Sequence, residues 1–112
     1  MTTLLALYRR PDGGQEALEA FERRYTDEHL PLVARTPGLK RIHAQRVVEA
    51  LGADTDLILI TAMDFADRAT LDEGLRSDAM RAAGRNLREI APGLSTLLVV
   101  EDAPDVVPEI GS

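Results

Sequence analysis

The chain has no cysteine and no tryptophan. Without cysteine there is no disulfide, no thiolate nucleophile and no cysteine metal site. Aromatic residues are scarce, two Tyr and two Phe, so a large aromatic cradle for a polycyclic ligand is not expected. Long hydrophobic runs are missing too, and none approaches the length that spans a bilayer. The start, MTTLLALYRR, lacks the basic opening and apolar stretch of a signal peptide. A soluble, cytoplasmic protein without a membrane partner is therefore expected. Positive charge is in deficit: 13 Lys and Arg stand against 19 Asp and Glu, for a net charge of −6. Nucleic-acid binding wants a basic footprint, and the arginines here are interleaved with acids as on a solvated surface. No G-x-G-x-x-G, P-loop or G-x-S-x-G motif occurs. The two histidines, His29 and His43, have no cysteine and no recognised ligand spacing around them. Neither a metal nor a cofactor is expected.

What is present reads as one domain of 112 residues, 45% apolar and 29% charged. Thr2–Arg9 is a short apolar run stopped by Pro11-Asp12-Gly13-Gly14, too short for a helix, so strand one is expected there. From Gly14 to about Arg35 the period changes. Leu18, Phe21, Tyr25, His29 and Leu32 recur at helical steps and share one face. Pro31 interrupts that helix, and a kink or break is expected near Glu28 to Leu30. After the Thr36-Pro37-Gly38 turn, Leu39 to Glu49 alternates as strand two. Ile42 and Ala44 fall on one face of it and Arg41, His43 and Gln45 on the other. Leu57 to Met63, apolar on both faces, is expected to be a covered interior strand. Asp67 to Ile90 reads as a second helical region, weakened by Gly74 and Gly84, with Ser77-Asp78 able to cap a restart. Leu94 to Glu101 is strand four. The domain is expected to span residues 1–102, with a Pro- and Gly-containing tail at 103–112.

The order strand, helix, strand, strand, helix, strand is the ferredoxin-like split βαβ arrangement, α+β, with a four-stranded antiparallel sheet and helices on one face. The other face would be left bare and apolar, which marks an interaction surface. A homodimer that pairs two sheets into an α+β barrel is the expected solution.

Chemistry centres on His29. It shares a face with Tyr25 and lies at a proline interruption where a pocket can open, and a histidine there can move a proton or bond a ligand oxygen. His29 and Tyr25 are thus the candidate catalytic pair. Tyr8, Phe21, His43 and Gln45 are candidate ligand-binding residues, the last two if a dimer cavity opens on their face of strand two. For each, plain packing or a solvent-facing polar stripe is the alternative. No nucleophile stands beside a base in the sequence.

Tyr8-Arg9-Arg10-Pro11-Asp12, then Phe21, Tyr25, His29-Leu30-Pro31-Leu32 and Pro37-Gly38-Leu39 together resemble the EthD-like family of dimeric α+β barrels. Ser77-Asp78 to Asn86-Leu87 is similar, less specifically. The resemblance covers the chain to about Glu101. It implies the ferredoxin-like fold and dimerisation, and it marks His29 as the pocket residue with Tyr25 and Tyr8 as companions. It also implies a small-molecule enzyme acting by acid–base chemistry on a hydrophobic, oxygen-bearing compound, as a cofactor-independent lyase or isomerase or as an oxidoreductase. Members are associated with ethyl tert-butyl ether degradation. A non-catalytic binding or accessory homodimer is the alternative, and haem ligation by His29 a third reading.

Overall fold

The computed structural model describes residues 1–106. The elements are β1 (Thr2–Arg9), α1 (Gly14–Arg24), a π-helical segment (Tyr25–His29), α2 (Leu30–Val33), β2 (Leu39–Arg46), β3 (Leu57–Phe65), α3 (Arg68–Leu75), α4 (Asp78–Ile90) and β4 (Ser95–Glu101). The strands form one antiparallel sheet in the order β2-β3-β1-β4. This is the ferredoxin-like arrangement expected from the element order. Of the expected tail, residues beyond Val106 lie outside the described residues.

Alternation explains the sheet. Along β1, Thr2, Leu4, Ala6 and Tyr8 are buried, and Thr3, Leu5, Leu7 and Arg9 are half-buried. Register carries the buried set across the sheet, pairing Leu4 with Met63, Ala6 with Thr61 and Tyr8 with Leu59. These residues face the helices. The opposite set, Leu5 beside Ala62 and Leu98, and Leu7 beside Ile60 and Thr96, makes a face that no helix among the described residues covers. Strand β3 lies inside the sheet, as its apolar composition predicts. It runs on to Phe65, two residues past the expected end, because Phe65 keeps the alternation and is fully buried. Strand β2 stops at Arg46, three residues short of the expected Glu49, although the Val47 N–H still donates to the Ile58 carbonyl at 2.9 Å.

Where a kink or break is expected near Glu28 to Leu30, the first helix runs on through a π-helical irregularity at Tyr25–His29. Proline offers no N–H to the carbonyl four residues back and its ring crowds that carbonyl, and here the helix widens to relieve this. The Leu30 N–H bonds the Tyr25 carbonyl, five residues back, and Pro31 sits in the first turn of α2. Residues four apart share a face of a helix, and the wide turn preserves that pairing. Tyr25 and His29 are accordingly both buried on the sheet side.

The second helical region is divided at Ser77, as its cap residue suggested. The Ser77 hydroxyl accepts from the Met80 N–H at 3.2 Å and donates to the Gly74 carbonyl at 2.6 Å. Gly74 costs α3 helix propensity, but it is buried for a packing reason. A Cβ there would lie 3.0 Å from both Phe65 Cε2 and Thr36 Cγ2. Gly38 has φ of 80°, and a Cβ would stand 2.4 Å from Thr70 Cγ2, so the turn before β2 requires glycine. Among the described residues no helix is long and apolar enough to cross a membrane.

Candidate functional site

Three of the four Tyr and Phe residues gather with His29 between the first helix and the sheet. Tyr8 from β1 meets Tyr25 edge-on, with ring centroids 5.0 Å apart at 71°. Phe21 lies 5.8 Å from Tyr8 and 5.6 Å from Tyr25. The His29 ring lies against Tyr25 at 5.1 Å and 31°. The stripe Phe21, Tyr25, His29 is what the helical spacing predicts, and the π turn extends it to His29.

Burying two phenols requires partners for their hydroxyls. Tyr25 Oη donates to Tyr8 Oη at 3.2 Å and lies 2.7 Å from Thr61 Oγ1. All three residues are closed to solvent. Burial pushes the Tyr8 phenol well above its ordinary value, with Tyr25 alongside adding to the shift. Burial raises Tyr25 as well, opposed by its hydrogen bonds with Thr61 and Tyr8. Both phenols are neutral across the physiological range.

His29 is only 5% exposed, and its ring stands within hydrogen-bonding reach of the Asn86 side chain and the Ala83 backbone. Burial holds the imidazole below its ordinary value, opposed by the nearby Asn86 side chain and Ala83 backbone. At neutral pH the ring is uncharged and able to accept a proton. On its outer side the π turn is tied to α4. Arg24 donates to both oxygens of Glu28 at 2.7 and 3.0 Å, and Asn86 Nδ2 donates to Glu28 Oε1 at 3.0 Å. The Arg24 guanidinium holds the Glu28 carboxyl below the usual range. Asn86 thus bridges the π turn, with Nδ2 on Glu28 and the same side chain acting on the His29 ring.

His29 and Tyr8 line a mostly apolar cleft of about 120 Å³, together with Leu4, Val33, Met63, Leu75, Met80, Ala83, Gly84, Leu87 and Leu97. A second cleft, of about 180 Å³, lies beside Tyr25 and is lined also by Glu22, Thr26, Leu30, Ala44, Arg46 and Leu59. Arg46 and Glu22 form a two-point ion pair there at 3.0 and 3.1 Å. Tyr8, Tyr25 and His29 are therefore brought together. Phe21 is packed against them and lines neither cleft. His43 and Gln45, paired with Ala62 and Ile60, stand exposed on the uncovered face of the sheet, across it from His29. Among the described residues no three His, Asp or Glu side chains gather within metal-binding reach.

Thr61 and Asn86 were not among the candidates read from the sequence. Thr61 had a signal, being a lone polar residue inside the apolar run LILITAM, and Asn86 is the chain's single asparagine. The methionines Met63 and Met80 in the cleft wall carried no signal beyond ordinary core patterning.

No protein-family model and no curated protein matches the sequence. Solved structures do. An EthD family protein from Bacillus halodurans superposes with a TM-score of 0.82 at 29% identity, over 92% of this chain and 99% of its own. This chain is similar to an EthD family protein over nearly its whole length. A DABB family protein with a ferredoxin-like fold from Mesorhizobium loti matches the EthD-like chain at TM-score 0.70 and 13% identity, covering 91% and 97% of the two chains. A dimeric protein of unknown function and ferredoxin-like fold from Bacteroides fragilis matches at TM-score 0.66 and 15% identity, covering 90% and 95%. At these lower identities the EthD-like chain shares the fold alone.

Proposed function

We propose that this EthD-like chain is a homodimer that takes a small, hydrophobic, oxygen-bearing molecule into the cleft beside His29 and moves a proton to or from it. The observation that carries this reading is His29 itself, a buried, neutral imidazole that lines an otherwise apolar cleft. The neutral imidazole suits a general base, and no second titratable group besides the neutral Tyr8 lines the cleft. An empty apolar cavity of about 150 Å³ holds a benzene-sized molecule, so a cleft of about 120 Å³ suits a single small ring or a branched chain.

Homodimerisation is supported by the uncovered sheet face and by β4, an edge strand whose Leu97, Leu98, Val99 and Val100 are 38–51% exposed. Such an edge is managed in native proteins by covering or pairing it, and the Bacteroides fragilis neighbour is described as dimeric. A binding or accessory role without turnover is the second reading. It is favoured by the cleft lining, which among the described residues gives His29 no charged partner.

Native mass spectrometry of freshly purified protein tests the proposal. A dimer carrying a small molecule that is absent from a cleft-filled Gly84→Leu variant is the expected result. A monomer in both forms, with no small molecule retained and no probe bound, would contradict it. Turnover of an identified ligand that His29→Gln abolishes without loss of binding selects the enzyme over the binding protein.

A further inference from the structure

The buried hydroxyls between helix and sheet have a direction. Tyr25 has one hydroxyl hydrogen and donates it to Tyr8 Oη, at 3.2 Å. Its 2.7 Å contact with Thr61 Oγ1 must then run the other way, with Thr61 donating to Tyr25. The chain of donation is Thr61 to Tyr25 to Tyr8. Its last member, Tyr8, keeps its own hydrogen, for which no acceptor exists among the described residues. Tyr8 is 1% exposed and lines the same cleft as His29. A buried donor without an acceptor is as costly as an unpartnered acceptor.

We infer that the Tyr8 hydroxyl is a ligand-binding donor aimed into the cleft, and that the ligand it selects carries a carbonyl oxygen. This deepens, and rests on, the reading of the His29 cleft as a small-molecule site. Tyr25 and Thr61 act through Tyr8 as positioning residues. Each accepted hydrogen bond polarises the next hydroxyl in a buried chain, so Tyr8 is a better donor than an isolated phenol. A carbonyl is favoured over an ether or an amine because the cleft then matches it at two points. Tyr8 donates to the oxygen, and the His29 ring nitrogen faces the adjacent C–H or O–H. Thr61 owes its place in an apolar strand to this chain, since a valine would fill the same volume.

The test uses two probes of one shape, cyclohexanone and methylenecyclohexane, which differ by C=O against C=CH₂. Affinities are measured by ligand-detected NMR on the full chain, and their ratio removes the apolar contribution common to both. In Tyr8→Phe the ketone-to-alkene affinity ratio should fall about ten-fold, the worth of one buried hydrogen bond. Thr61→Val should lower the ratio by a smaller factor, and Thr61→Ser, which keeps the hydroxyl, should restore it. A role in packing alone would not separate serine from valine in this ratio. Thermal unfolding of each variant checks the fold, and Thr61→Val decides the matter if Tyr8→Phe does not fold. A ratio unchanged in the substituted proteins overturns the inference and leaves the cleft reading standing. Failure of the unsubstituted protein to bind either probe overturns both.

Discussion

Tyr25 and His29 lie ring against ring, 5.1 Å apart, across a single π-helical turn that Pro31 closes. An ordinary helix already places residues four apart on one face. The wide turn keeps both on the sheet side, where one phenol joins a hydroxyl chain and one imidazole faces an apolar cleft.

Acid sensitivity should begin with His29. Its ordinary value is 6.5 and burial lowers it in the folded state. Above pH 6.5 both folded and unfolded chains hold it neutral, so it contributes no pH dependence. As pH falls below 6.5 the unfolded chain takes up a proton that the folded chain resists, and stability declines. The decline levels off once pH passes below the folded value. Thermal unfolding between pH 7 and 5 should show this slope, and His29→Gln should flatten it. A second loss should follow at lower pH, where Glu28 and Asp67, both held below their ordinary values, become protonated.

Asn86→Ala should lower the His29 value further. The Asn86 side chain raises it against the pull of burial, so its removal leaves burial less opposed. An NMR titration of the His29 ring reads this directly. An unchanged or raised value would show that the Asn86 amide does not act on the imidazole.

Two helical glycines should respond to alanine in opposite senses. Helix propensity alone favours alanine at both by about 1 kcal/mol. At Gly74 the new methyl would press on Phe65 and Thr36 at 3.0 Å, and overpacking of this kind costs about 1–3 kcal/mol. At Gly84 a Cβ meets only Arg88 Nη1, at 3.9 Å, so Gly84→Ala should stabilise. Chemical denaturation of the two variants measures both signs. Stabilisation by Gly74→Ala would contradict the packing described for α3.

The uncovered sheet face should hold two copies together. Leu98 is 42% exposed and pairs with Leu5 on that face. Leu98→Lys should shift the protein from dimer to monomer in light scattering while its circular dichroism stays the same. An unaltered dimer would move the interface elsewhere.

Much of the fold was legible in local signals. TLLALYR reads as a strand because a turn stops it too soon for a helix, LILITAM because it is β-branched and apolar on both faces, and Ser77 announced the divided second helix. The π turn was not legible. Helical periodicity assumes 3.6 residues per turn, so Pro31 reads as a break, and only the packed helix shows that widening costs less. The pairing of Tyr25 with His29 could be read from a shared face, and the family resemblance set Tyr8 beside them. Thr61 signalled itself only as a lone polar residue in LILITAM, and its grouping with Tyr25, like that of Asn86 with His29, joins elements distant in sequence. His43 and Gln45 show the converse. Alternation set their face of β2 correctly, but nothing local tells which face the helices cover.

The central claim is that a neutral, buried His29 faces a cleft that admits a small molecule. With only two histidines in the chain, ring NMR resolves the question, and exposed His43 serves as an internal control. On addition of cyclohexanone the His29 signals should shift and saturate while those of His43 stay fixed, and Gly84→Leu should remove the effect. Equal drift of both histidines, or movement of neither, would contradict the account.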